Sequence, residues 1–108
     1  LKCAAMAMGN MVDIRRNSEI LGTLPGKCGA PPKSCRRMMC EQTSALYFCN
    51  ELDTPLEVDC RHVAEFIEQI WVNCCMHQLT TSGVTRSKEG FSAWLGYGNC
   101  NHSPNVPP

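Results

Sequence analysis

Between Cys60 and Cys75 the apolar side chains recur at helical spacing. Val63, Phe66, Ile67, Ile70, Trp71 and Cys74 share one face; Arg61, His62, Glu65, Glu68, Gln69 and Asn73 share the other. The pattern predicts an amphipathic helix over about 60–75, with Asp59 as its N-cap. Residues 45–50 (Ala-Leu-Tyr-Phe-Cys-Asn) form an aromatic and apolar run between turn signals and read as a strand. Residues 35–40 (Cys-Arg-Arg-Met-Met-Cys) read as a second strand, close enough to pair with it through a turn at 41–44. Residues 91–99 read as a last strand. The Ser/Thr/Gly-rich stretch 77–90 reads as a loop with a strand beginning near Val84. Residues 1–12, small and apolar, read as a first strand. Residues 21–34, with Gly22, Pro25-Gly26, Gly29 and Pro31-Pro32, read as a loop.

These elements predict an α+β fold: a small antiparallel sheet packed against one main amphipathic helix, since neither can bury its apolar side alone. Phe48, Val63, Phe66, Ile67, Ile70, Trp71, Trp94 and Leu95 are the expected core. Residues 1–100 read as a single disulfide-rich domain. Residues 101–108, rich in Pro and Asn, read as a flexible tail.

Cysteines change the picture most. Nine occur in 108 residues: Cys3, Cys28, Cys35, Cys40, Cys49, Cys60, Cys74, Cys75 and Cys100. This density marks a disulfide scaffold and an oxidising compartment. The chain is therefore expected to be secreted and extracellular. The opening, Leu-Lys-Cys-Ala-Ala-Met-Ala-Met-Gly-Asn, has no initiator Met and no basic n-region, and reads as a mature product whose signal peptide has been removed. Leaving one cysteine out and pairing eight allows about 945 arrangements. Cys74, Cys75 and Cys3 are the candidates for the unpaired one, which leaves a monomer or a disulfide-linked dimer.

Charge and chemistry narrow the classes. Ten Lys and Arg balance ten Asp and Glu, which argues against nucleic acid as a partner. No run approaches the roughly 20 apolar residues of a membrane span, so no stable membrane insertion is expected. The charges are segregated: residues 1–37 hold seven bases against Asp13 and Glu19, and residues 41–68 hold seven acids against Arg61. The two segments either neutralise each other in the fold or form a basic and an acidic lobe of a protein-binding face.

Cys35 with Cys40, His77 after Cys74-Cys75, and His102 after Cys100 match no common zinc spacing. No metal and no cofactor are expected. A cysteine nucleophile needs an imidazole partner, and nothing singles one out. Cys74-Cys75-Met76-His77 lacks the spacing, the following Asp and the glycine-rich calcium loop of secreted phospholipases A2. Glu65 and Glu68 lie one turn apart on a solvated helix face rather than across a sugar cleft. No catalytic residues are assigned, and the chain is read as a non-enzyme. The six methionines are expected mainly to fill the core. Asn101-His102-Ser103 is a glycosylation sequon at Asn101, followed directly by Pro104.

One stretch carries a resemblance. Pro-Gly-Lys-Cys-Gly (25–29), Cys-Arg-Arg-Met-Met-Cys (35–40) and Ser-Ala-Leu-Tyr-Phe-Cys-Asn-Glu (44–51) are followed by Cys60, the helix, Cys74 and Gly-Asn-Cys (98–100). This order resembles that of small secreted cysteine-rich fungal proteins. Met39 stands where that group usually has Ser, Glu51 where it has Asp, and Cys75 and Cys3 are extra. The resemblance implies an effector or virulence-associated protein, often of a plant pathogen. It also implies, for several such families, a killer-toxin-like two-layer αβ sandwich. The expected function is then non-enzymatic binding of a host protein. Two alternatives are a killer-type toxin acting on a target-cell membrane or channel, and a binder of chitin or another wall polysaccharide. The last needs exposed aromatics, for which Tyr47, Trp94 and Tyr97 are the candidates.

Overall fold

The computed structural model describes residues 1–77 and 79–101, and for residues 75–77 the backbone alone. Its elements run β1 (Lys2–Cys3), β2 (Gly9–Asn10), α1 (Met11–Leu21), β3 (Lys27–Ala30), β4 (Cys35–Glu41), β5 (Ser44–Asn50) and β6 (Leu56–Asp59). Then follow α2 (Cys60–Asn73), β7 (Cys75–His77), β8 (Thr80–Thr81), β9 (Gly83–Arg86) and β10 (Phe91–Tyr97). An antiparallel five-stranded sheet has the order β1-β9-β10-β5-β4. Beside it lie a three-stranded sheet, β2-β8-β7, and a ribbon, β3-β6. Both helices pack on one face of the main sheet, giving the disulfide-stapled α+β class that the sequence pattern implies.

The core lies between these layers. Ile14 and Leu21 of α1 and Val63, Ile67 and Ile70 of α2 meet Leu46 and Phe48 of β5 and Phe91, Ala93 and Leu95 of β10. Phe48 and Phe91 stack with ring centroids 5.2 Å apart, and Phe66 meets Phe91 edge-on at 5.1 Å. Trp71 donates its indole N–H to Ser18 Oγ at 2.9 Å, tying α2 to α1. Phe66 and Trp71 pack against the core from a half-buried position. Trp94, expected in the core, faces the other side of the sheet. Strand alternation puts its neighbours Ala93 and Leu95 inward and Trp94 outward, where Arg86 lies over its ring.

The N-terminal third departs most from expectation. Residues 1–12 are not one strand. They form two short strands, and a second helix begins at Met11. Asn10 caps that helix, its Oδ1 accepting from the main-chain N–H groups of Val12 (2.9 Å) and Asp13 (3.2 Å). Asp59 precedes α2 but makes no side-chain cap. Its carboxylate is taken by Lys27 Nζ at 2.9 Å across the β3-β6 ribbon. Residues 27–30, read as loop, are β3.

Four disulfides join the elements: Cys3–Cys74, Cys28–Cys60, Cys35–Cys49 and Cys40–Cys100. Cys3 and Cys74, two of the three positions expected to hold the odd cysteine, are bonded to each other. They meet because β1 pairs with β9, which packs against α2. Cys75 is the cysteine outside these four bridges, and its side chain is not among those described. Asn101 is exposed, while the rest of its sequon and of the tail lies outside the described residues.

Candidate binding cleft

The β3-β6 ribbon is set beside the free edge of β4, and the space between them is a cleft of about 740 Å³. Its apolar lining comes from Leu21 and Leu24 of α1 and its exit, Met38 of β4 and Leu56 of β6. Its charged lining is Lys27, Arg36, Arg37 and Glu57. Met38 is also the point where β4 bulges, since the register with β5 shifts between Arg37 and Met39.

Three of the four disulfides brace this cleft. Cys28–Cys60 closes its floor between β3 and the start of α2. Cys35–Cys49 pins the beginning of β4 to β5, and Cys40–Cys100 pins its end. Both walls are therefore held in place before any partner arrives, which lowers the ordering cost of binding.

The charges are not equally committed. Lys27 pairs with Asp59; this hydrogen-bonded contact holds the lysine above its ordinary value and the carboxyl below its own. Arg37 sends its guanidinium to the other face of the sheet, where Nη1 donates to the Asn99 carbonyl at 2.9 Å. Arg36 is exposed and has no side-chain partner among the described residues. The segregated charges neutralise each other in part: Arg16–Glu41 (2.8 Å), Lys27–Asp59 and Lys33–Asp53 (4.0 Å) join the basic segment to the acidic one. Arg36 is a basic residue left over at the cleft.

Other sequence candidates settle elsewhere. Tyr47 is buried on the outer sheet face, and burial pushes its phenol above the ordinary value against the opposing effect of Arg37. Tyr97 is 44% exposed. Trp94 is half-buried beside a hollow of about 260 Å³ that also touches Ser92, Lys33 and Glu51. Glu65 is an ion-pair partner of His62, and Glu68 lies exposed on a shallow hollow between the helices. No cluster of three or more His, Cys, Asp or Glu side chains able to hold a metal occurs among the described residues. Among the described residues no helix is long and apolar enough to cross a membrane.

His62 forms a clasp that the sequence did not reveal. Its Nε2–H donates to Glu89 Oε2 at 2.6 Å and its Nδ1–H to Glu65 Oε1 at 3.1 Å. Both nitrogens can donate only in the imidazolium form. The bond to Glu89, then that to Glu65, raises the histidine above its ordinary 6.5. The raised folded value means that the stabilisation is full below pH 6.5 and is lost as pH climbs through the folded value. With the side chain 39% exposed, the effect is modest and shrinks in salt. The stability difference between wild type and His62→Gln, from urea melts at pH 5 to 9, is expected to narrow as pH rises. An equal difference at every pH rejects the clasp.

No family model, curated protein or solved structure matches the chain. What fold and cleft define is a class: a disulfide-stapled α+β protein with a braced, partly basic cleft.

Proposed function

We propose that this chain is a secreted effector-type protein, of the small cysteine-rich fungal kind it resembles, acting without catalysis by binding a host protein. The observation that carries the reading is the cleft at the β4 edge. It is large, braced by three bridges, lined by apolar side chains, and edged by the exposed guanidinium of Arg36. Rigid walls, apolar anchors and an available charge are what a protein-recognition surface needs, and extracellular use suits a scaffold held by four disulfides. The arrangement of two helices on one face of an antiparallel sheet agrees with the sandwich that the resemblance implies.

The test compares oxidised wild-type protein with Arg36→Glu as immobilised bait in plant extracellular fluid. A defined protein retained by wild type and lost from the variant, with crosslinks to residues 27–38 and 55–57, is the expected result. Equal retention by both baits removes the cleft from the function. Growth inhibition of competing fungi by both forms alike would favour the toxin reading. The wall-binding reading has one observation in its favour, the hollow beside Trp94. It predicts sedimentation with insoluble chitin that Trp94→Ala abolishes.

A further inference from the structure

The cleft carries charges of both signs, and the fold sets them on facing walls. Arg36 lies opposite Phe48 in register, so it shares the side of the sheet that the helices cover. Its strand, β4, is the last in the sheet order, and there the side chain stands exposed. On the other wall Glu57 of β6 lies opposite Gly29 of β3. A β-carbon at position 29 would sit 2.9 Å from Glu57 Cγ. The bare glycine therefore lets the glutamate stem lie across β3, the ribbon strand that touches β4. Glu57 is exposed, lines the cleft, and makes no hydrogen bond or ion pair among the described residues. Lys27, which feels its charge, is held by Asp59. Among the described residues no ion pair joins Glu57 to Arg36 either. The cleft thus offers an available cation on one wall and an available anion on the other, with Leu21, Met38 and Leu56 in the same lining.

We infer that the partner protein enters this cleft with a bipolar segment: one acidic and one basic side chain separated by apolar residues. The acidic side chain pairs with Arg36 and the basic one with Glu57, while the apolar residues between them sit on Leu21, Met38 and Leu56. This rests on the proposed function and specifies the partner's chemistry. A segment of one sign fits worse. A purely acidic one sets a carboxylate against Glu57, and a purely basic one sets a cation against Arg36. Complementary charges at an interface select the partner and fix its register more than they add affinity, and juxtaposed like charges exclude the wrong one. The apolar contacts supply the affinity. Because the walls are braced by disulfides, the two charges are held apart before the segment arrives, and little ordering is needed to use them.

The test uses the oxidised full chain, ¹⁵N-labelled, titrated with the capped peptides Glu-Leu-Leu-Lys and Lys-Leu-Leu-Glu and with their single-Gln analogues. One of the two orders is expected to shift the amides of Gly29, Arg36, Met38 and Glu57. Arg36→Gln should weaken that peptide about fivefold, the upper end for a solvent-exposed pair, and should leave unchanged the analogue with Gln in place of Glu. Glu57→Gln should weaken it likewise and leave unchanged the analogue with Gln in place of Lys. These two cycles separate a charge contact from a structural effect of the substitution, which would weaken every peptide alike. Four results overturn the inference: equal losses for charged and Gln peptides, an all-Glu or all-Lys peptide binding as tightly, an uncapped Leu-Leu zwitterion binding as tightly, or shifts that track protein concentration without peptide. If host-protein capture depends on Arg36 while both peptides leave these amides unmoved, the bipolar segment is rejected and the binding cleft stands. If the peptide cycles come out as expected but no host protein is captured, the functional reading is what fails.

Discussion

Ile67→Asp is expected to destroy the native packing even with all four bridges closed. Ile67 is fully buried at the centre of the helix–sheet contact. Truncating such a side chain typically costs about 2–5 kcal/mol, and an unpaired buried carboxylate adds more. A domain of this size has only about 5–15 kcal/mol in total. A loss above about 4 kcal/mol should appear as a collapsed thermal midpoint and a lost near-UV signal from Trp71. Glu68→Ala, one residue along on the exposed face, is expected to stay within about 0.5 kcal/mol of wild type. An unchanged midpoint for Ile67→Asp would place the core elsewhere.

Removing the bridges one pair at a time should destabilise the protein in order of the loop each closes. The sequence separations are 71 for Cys3–Cys74, 60 for Cys40–Cys100, 32 for Cys28–Cys60 and 14 for Cys35–Cys49. Chain-entropy arguments give about 3 kcal/mol for the shortest loop and about 4 kcal/mol for the longest. Double Cys→Ala variants, ranked by urea midpoint, test the order. Non-reducing peptide mapping tests the pairing itself. Loss of Cys35–Cys49 as the most damaging change would show that native packing around β4, rather than restriction of the unfolded chain, sets the effect.

The parts of the fold legible in sequence are those whose signal is local. Val63, Ile67 and Ile70 repeat at helical spacing and lie in the core. The run 45–50 belongs to β5, whose seven residues are all buried, because β10 and β4 flank it and helices cover one face. α1 was hidden for a physical reason. Besides Ile14 and Leu21, its buried face consists of Asp13, Asn17 and Ser18, so it carries no clear apolar stripe. The available signal was Asn10, a good cap immediately before the helix, masked by Gly9. β6 also left a trace, since Leu56-Glu57-Val58-Asp59 alternates as a half-buried strand does. Its partner β3 lies more than twenty residues earlier, and a ribbon closed over that distance leaves no local pattern. The cleft inherits this: its walls come from β3, β4 and β6, which meet only in space. Arg36 could be seen as a base, but not as one left at the cleft after Lys27, Lys33 and Arg16 had found acids. Phe91, the ring at the centre of the aromatic cluster, was placed in the last strand but not in the core.

The lateral position of β1 has a consequence for how the molecule is made. Lys2 and Cys3 lie opposite Val84 and Gly83, and Cys3 is bonded to Cys74. The earliest of these residues to leave the ribosome must wait for the latest before they find their place. In the sequence Cys28, Cys35, Cys40, Cys49 and Cys60 all come between Cys3 and its partner Cys74. Any wrong pairing made before Cys74 emerges has to be undone by thiol exchange, a process of seconds to hours that an isomerase shortens. Yield from an oxidising compartment supplied with such a catalyst should far exceed yield from one without.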